Sequence, residues 1–234
     1  MKSIKVKGMN RNILFFMIYL NLGEIMRLKN VKGASEKILN GKYYVSNPQD
    51  NKGFWNKVFG NNNPIIIEIG MGKGNFIIEN AKRYKDINFI GIEKYDSVIL
   101  RGIEKSNELE LDNLLLIRMD ANRLEEIFDK EIDTIYLNFS DPWPKERHAK
   151  RRLTSPVFLS IYDKIFKDRK RIVMKTDNLD LFNYSLDSLT EYGYDIIYKC
   201  NDIDCLDSNN IMTEYESKFH NKGIKINKLE AIKK

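Results

Sequence analysis

The chain has 234 residues, 42% of them hydrophobic and 31% charged, with a formal net charge of +6 and a pI near 9.0. That length suits one domain with at most a short appendage, and the basic balance favours a polyanionic partner over a neutral one. Two cysteines (Cys200, Cys205) and two histidines (His148, His220) argue against a disulfide framework, zinc chemistry or histidine-centred acid–base catalysis, and fit a reducing cytosol.

The first 25 residues carry Lys2, Lys5, Lys7 and Arg11 ahead of an apolar run from Ile13 to Leu20. The run is too short to span a bilayer and no small-residue cleavage pattern follows it. It reads as a leader or, in preference, as an extension upstream of a natural start at Met26, outside the fold, and no membrane association is expected. Residues 26–63 have no sustained period and are expected to form an irregular arm, with Tyr43, Tyr44, Phe54 and Trp55 available to pack it on the core. Asn61-Asn62-Asn63-Pro64 closes the arm as a loop.

From residue 64 to 234 the pattern is regular. Ile65–Ile69 is a short apolar run bounded by Pro and Gly, a buried strand. A helix is expected over 75–84, a strand over 88–92, a helix over 95–109 and a strand over 114–118. A short helix over 123–128 and a strand over 134–139 follow. Thr154-Ser155-Pro156 offers a hydroxyl cap and then proline at the first helical position, which predicts a helix to about residue 167. Strands over 171–175 and 194–198 flank a helix over 179–192, and the tail from 211 to 229 returns as a turn or helix and a last strand. Alternation at this spacing specifies an α/β fold: a doubly wound, mostly parallel, Rossmann-like sheet with both faces covered.

The first strand runs into Glu68-Ile69-Gly70-Met71-Gly72-Lys73-Gly74. Glycines between a strand and a helix permit a tight turn and close ligand approach. The third glycine comes one residue earlier than a dinucleotide fingerprint requires, with Asn75 in its place. An acidic residue followed by alternate glycines instead looks like the S-adenosylmethionine loop of Rossmann-like methyltransferases. Glu68 can accept from that cofactor's ammonium, Glu93 at the end of the second strand from both ribose hydroxyls, and Asp120, next to Ala121 after the third strand, from the adenine amine. Strand-end carboxylates also cap helices, so it is the set, with the glycine loop, that points to a nucleoside-type cofactor.

The most specific stretch is Leu137 to Lys145, in which Pro142 and Pro144 flank Trp143 at the end of the fourth strand. Each proline fixes its own φ and disfavours helical geometry in the residue before it, so Asp141 and Trp143 are both expected to be extended in a stiff lip beside the cofactor crevice. Five of the next eight residues, Lys145 to Arg152, are Lys or Arg. A charge run is usually a solvated face; beside a base-binding lip it suits a phosphate track.

Asp141-Pro142-Trp143-Pro144-Lys145, then Arg147-His148 and Lys150-Arg151-Arg152-Leu153-Thr154, resemble the signature of the bacterial tRNA (guanine-N7-)-methyltransferases. The glycine loop, Gly91-Ile92-Glu93, Asp120-Ala121, Thr176-Asp177 and Thr213-Glu214-Tyr215-Glu216 match that family in order and spacing, from about Met26 to the end. Ser140 stands where proline is usual and Glu146 where a second basic residue is common, departures that touch loop geometry. The resemblance implies a class I methyltransferase sheet with an antiparallel last strand, and a substrate guanine at tRNA position 46 in the variable loop. Asp141 would be the catalytic carboxylate. Glu68, Gly70, Gly72, Gly74, Glu93, Asp120, Ala121, Asn138 and Asp141 would hold the cofactor. Lys145, Asp177, Thr213, Glu214, Tyr215 and Glu216 would hold the nucleotide, and Arg147, His148, Lys150, Arg151 and Arg152 the RNA. No metal is called for, and monomer and homodimer stay open. The competing readings are a methyltransferase on another RNA or on a small molecule, a dinucleotide-dependent dehydrogenase, and a non-catalytic RNA-binding module.

Overall fold

The computed structural model describes residues 33–201, 211–213, 215–216 and 223–234. The leader and the start of the arm, Glu214, Cys205 and His220 lie outside the described residues. The unit from Gly33 onward is built on a sheet of seven strands among the described residues, in the order β3-β2-β1-β4-β5-β7-β6. The strands are β1 Ile65–Ile69, β2 Asn88–Glu93, β3 Leu114–Arg118, β4 Ile132–Asn138, β5 Phe166–Thr176, β6 Asp195–Cys200 and β7 Asn227–Lys233. β1 to β5 pair in parallel, so their carboxyl ends share one rim. β7 runs antiparallel to both β5 and β6. The helices are α1 Ala34–Leu39, α2 Trp55–Phe59, α3 Asn75–Arg83, α4 Asp96–Ser106, α5 Pro156–Ile165 and α6 Leu179–Glu191.

Every residue of β1 and β2 is buried, as strands covered on both faces must be. Ile65, Ile67, Ile69, Ile90 and Ile92 join Phe128, Leu159, Tyr162, Phe182 and Leu229 in one core. β5 begins several residues before the sequence suggested. The run Lys167-Asp168-Arg169-Lys170 hides its amino-terminal half, in which Phe166 is buried and pairs with Ile132 while Lys167, Asp168 and Arg169 are exposed.

The arm is ordered by long-range contacts that local sequence does not announce. Trp55 is fully buried; its indole N–H donates to the Ile127 carbonyl at 2.7 Å, and its amide and that of Gly53 donate to Glu131. Tyr44 bridges in parallel to Leu116, which caps the open edge of β3. Tyr43 is buried, but Phe54, expected to pack, is 53% exposed and lies under Lys57 instead. The cap expected before α5 is also different. Ser155 and Pro156 take the expected positions, yet the Ser155 hydroxyl donates to the Lys150 carbonyl and Thr154 pairs with Ser185. These hydroxyls tie the basic segment to the fold and leave the helix start uncapped by a side chain.

Candidate active site

The sheet order reverses between β1 and β4, and ligands of open parallel sheets bind outside the carboxyl ends at such a point. Glu68 of β1 and Asn138 of β4 straddle it. The Asn138 amide donates to Glu68 Oε1 at 2.8 Å, and both side chains are buried. Among the described residues, Glu68 Oε2 and Asn138 Oδ1 have no hydrogen-bond partner. Unmatched buried acceptors are costly, so two of them at a switch point mark a place for a donor. Burial pushes the Glu68 carboxyl up to about 8, against the opposing pull of the Asn138 hydrogen bond and the Lys175 charge.

The glycine loop sits directly above. Gly70, Gly72 and Gly74 have φ of 75°, 59° and 76°, the left-handed region that favours glycine. A Cβ at Gly70 or Gly72 would meet nothing within 4 Å, whereas at Gly74 it would press on Ile78 and Gly102. The first two glycines thus open the loop toward a ligand, and the third lets α3 approach α4.

Glu93 is more committed than its sequence position implies. Oε1 accepts from the amides of Lys94 and Tyr95, and Oε2 from that of Gly72 at 3.2 Å. A carboxylate offers roughly four lone-pair sites, so its remaining capacity is on Oε2, enough for one strong hydroxyl bond beside a shared one. Asp120 caps a 3-10 helix over Ala121–Glu126, its Oδ1 accepting from the amide and side chain of Asn122. The capping role and the rim position coexist there. Asp177, by contrast, is relieved of capping: Asn178 caps α6 by accepting from the Leu181 amide. Burial raises the Asp177 carboxyl above the usual range.

On the other side of the crevice, Lys175 at the end of β5 is buried. Its Nζ lies 3.1 Å from Glu216 Oε2 and donates to the Ile211 carbonyl. Glu216 also accepts from the Thr213 amide while Thr213 Oγ1 accepts from the Glu216 amide, a reciprocal capping box. Lys175 is the residue the sequence reading missed. Its signal was a lone cation closing the apolar run Ile172-Val173-Met174, a position that demands a partner. Tyr215 stacks on Phe139 with centroids 6.0 Å apart. Thr213, Tyr215 and Glu216 therefore do reach the rim, although Glu216 spends its charge on Lys175.

The lip follows β4. Asp141 is exposed at its start. Trp143 is not extended as expected: its φ is 42°, and that of Phe139 is 51°. Tertiary contacts override the pre-proline preference. The Trp143 ring meets His148 edge-on at 5.9 Å and Arg151 at 4.9 Å. Glu146–Arg151 coil into a 3-10 helix that holds these side chains against the lip. Lys145, Arg147, Lys150 and Arg151 are exposed, as a phosphate track requires, while Arg152 is turned inward.

A family model described as a putative methyltransferase matches residues 62–229. A tRNA (guanine-N(7)-)-methyltransferase of Lachnoclostridium phytofermentans is 50% identical over 212 residues, covering 89% of this chain and 99% of the relative. The chain belongs to the tRNA (guanine-N7-)-methyltransferase family. Family members of the same printed name from Listeria innocua and Geobacillus are each 50% identical, covering 88% of this chain and 98% and 95% of theirs. Two solved structures share the fold at TM-score 0.60: an antibiotic-related methyltransferase, 16% identical, covering 79% of this chain and 92% of its own, and the 16S rRNA methyltransferase KamB, 11% identical, covering 77% and 92%. The α/β sheet with its antiparallel last strand is thus the class I methyltransferase architecture.

The site suits the methyl donor of such enzymes. A donor ammonium would satisfy the orphaned Glu68 and Asn138 oxygens, and the open faces of Gly70 and Gly72 admit a ligand chain. Among the described residues no helix is long and apolar enough to cross a membrane, and no three His, Cys, Asp or Glu gather to hold a metal.

Proposed function

We propose that this enzyme methylates N7 of a guanine in tRNA, at position 46 of the variable loop, with S-adenosylmethionine as donor. The single observation that carries the donor assignment is the pair of unmatched buried oxygens on Glu68 and Asn138 at the switch point. Glu68 and Asn138 would receive the amino-acid end, Gly70, Gly72 and Gly74 the chain, Glu93 the ribose, and Asp120 with Ala121 the adenine. When bound, S-adenosylmethionine supplies an electrophilic sulfonium methyl.

Guanine N7 carries a lone pair and no proton, so no residue need act as a base before transfer. The base becomes cationic, and a carboxylate beside it favours that charge. Asp141, exposed at the start of the lip, would be that group and would also contact the donor. Lys145, Asp177, Thr213, Glu214 and Tyr215 would contact the nucleotide, and Glu216 accepts from the Thr213 amide. Positioning supplies most of the acceleration, roughly 7–11 kcal/mol for two well-aligned reactants. Arg147, His148, Lys150 and Arg151 would offset the cost of exposing the base by contacting phosphates. The cytosol is the compartment where such a substrate is met, and a monomer or a homodimer is compatible with the site.

Incubation of purified protein with tRNA and labelled S-adenosylmethionine, followed by nuclease digestion and mass spectrometry, tests the assignment. A 7-methylguanosine product in the variable loop is expected. Label on another atom, or none on RNA, would replace it with one of the other methyltransferase readings.

A further inference from the structure

Arg152 is the last of the basic run, and its geometry separates it from the others. Its Nε donates to the Pro142 carbonyl and its Nη2 to the Trp143 carbonyl, both at 3.1 Å. Its guanidinium lies 4.2 Å from the ring centroid of Tyr184 on α6. Its own backbone is held at both ends: its amide donates to the Ala149 carbonyl, and its carbonyl accepts from the Ser155 amide. The edge of a guanidinium that grips a phosphate in a fork is here engaged with the two prolyl-flanking carbonyls.

Consecutive carbonyls of an extended chain point in opposite directions and cannot converge on one planar fork. They do so here because Trp143 is turned to φ 42°, a costly conformation for a bulky residue. Such a conformation persists only where surrounding contacts over-determine it. Arg152 supplies two of those contacts, and Tyr184 anchors Arg152 to α6, which starts at the rim from β5.

We infer that Arg152 is a positioning residue for methyl transfer: its fork clamps the Pro142 and Trp143 carbonyls and so fixes where Asp141 stands. This rests on the reading of the site given above. It also divides the basic run by role: Arg147 and Lys150 are exposed for RNA, Arg151 is exposed but lies on the Trp143 ring, and Arg152 faces inward to the lip.

The test compares R152K and R152M with the wild type by single-turnover methylation at saturating tRNA, by tRNA binding across a salt series, and by S-adenosylmethionine affinity. Lysine is a point charge that serves a phosphate but cannot reproduce the fork. Both variants are expected to lose about 10- to 100-fold in saturated rate, the scale of a small misplacement at a reacting centre. The salt slope of tRNA binding and the donor affinity should stay at wild-type values, readouts that general loosening of the fold would move. A wild-type rate in R152K overturns the proposal. So does a loss of roughly 0.7–0.9 in the salt slope of R152M, which assigns a phosphate contact. Should R152M fail to fold, R152K decides alone. Wild-type protein that leaves tRNA unmethylated overturns the site reading and the clamp together.

Discussion

Lys175 and Glu216 form a buried ion pair, 3.1 Å apart, that joins the end of β5 to the capping box of the carboxyl-terminal segment. Burial lowers the lysine, and Glu216 opposes that shift. Removing either partner strands the other charge in the interior. Lys175→Met or Glu216→Gln should therefore destabilise the protein by about 3–5 kcal/mol in urea unfolding, and the double variant by less than the sum. Full additivity would show that the two charges act separately.

Glu68 carries a pH dependence of stability. Burial raises its carboxyl from an ordinary 4.5 to about 8. Between those values the folded protein holds a proton that the unfolded chain has released. Stability of the ligand-free protein should thus fall as pH rises from 4.5 to 8, by on the order of a few kcal/mol, and Glu68→Gln should flatten that decline. Thermal or urea unfolding across this range measures it.

The same carboxyl bears on donor binding. Accepting from an ammonium requires the ionised form, so affinity should rise with pH, by up to about tenfold per pH unit, until it levels near 8. Calorimetry in buffers of different ionisation enthalpy should also show a proton released on binding at pH 7. A flat profile would remove Glu68 from the contact.

Asp141→Ala should lower the saturated methylation rate by about 100- to 1,000-fold, the scale for losing one electrostatic stabiliser. Donor affinity should change less than the rate, because Glu68, Glu93 and Asp120, at or just beyond the ends of three other strands, would carry most of the donor contacts. Normal turnover in this variant would return the lip to a purely structural role.

Lys150→Met and Arg151→Met should each weaken tRNA binding across salt concentrations and reduce the slope of log affinity against log salt by roughly 0.7–0.9. Filter binding from low to moderate salt reads this directly. Arg151 also lies 4.9 Å from the Trp143 ring, so its variant should in addition slow transfer.

Much of the frame is legible in the sequence. β1 was bounded correctly because an all-apolar run between Pro64 and Gly70 can satisfy itself only as a strand buried on both faces. The rim carboxylates followed from strand ends in chain order. The failures share one cause. Phe54 looks as apolar as Trp55, yet only the indole finds a carbonyl to bind. Trp143 precedes proline, yet contacts from Arg151, His148 and Arg152 turn it left-handed.

By itself the amino-acid order determined the alternation of strands and helices, the glycine loop, and which residue types reach the carboxyl rim, because periodicity and backbone allowance are local properties. Tertiary structure alone decided what those residues touch. It gave Glu68 an asparagine and an open acceptor, gave Lys175 to Glu216, and turned Arg152 from the solvent to the lip. Those outcomes depend on groups 9 to 70 residues apart being brought within hydrogen-bonding distance, and a side chain's charge or burial is settled only when its neighbours are in place.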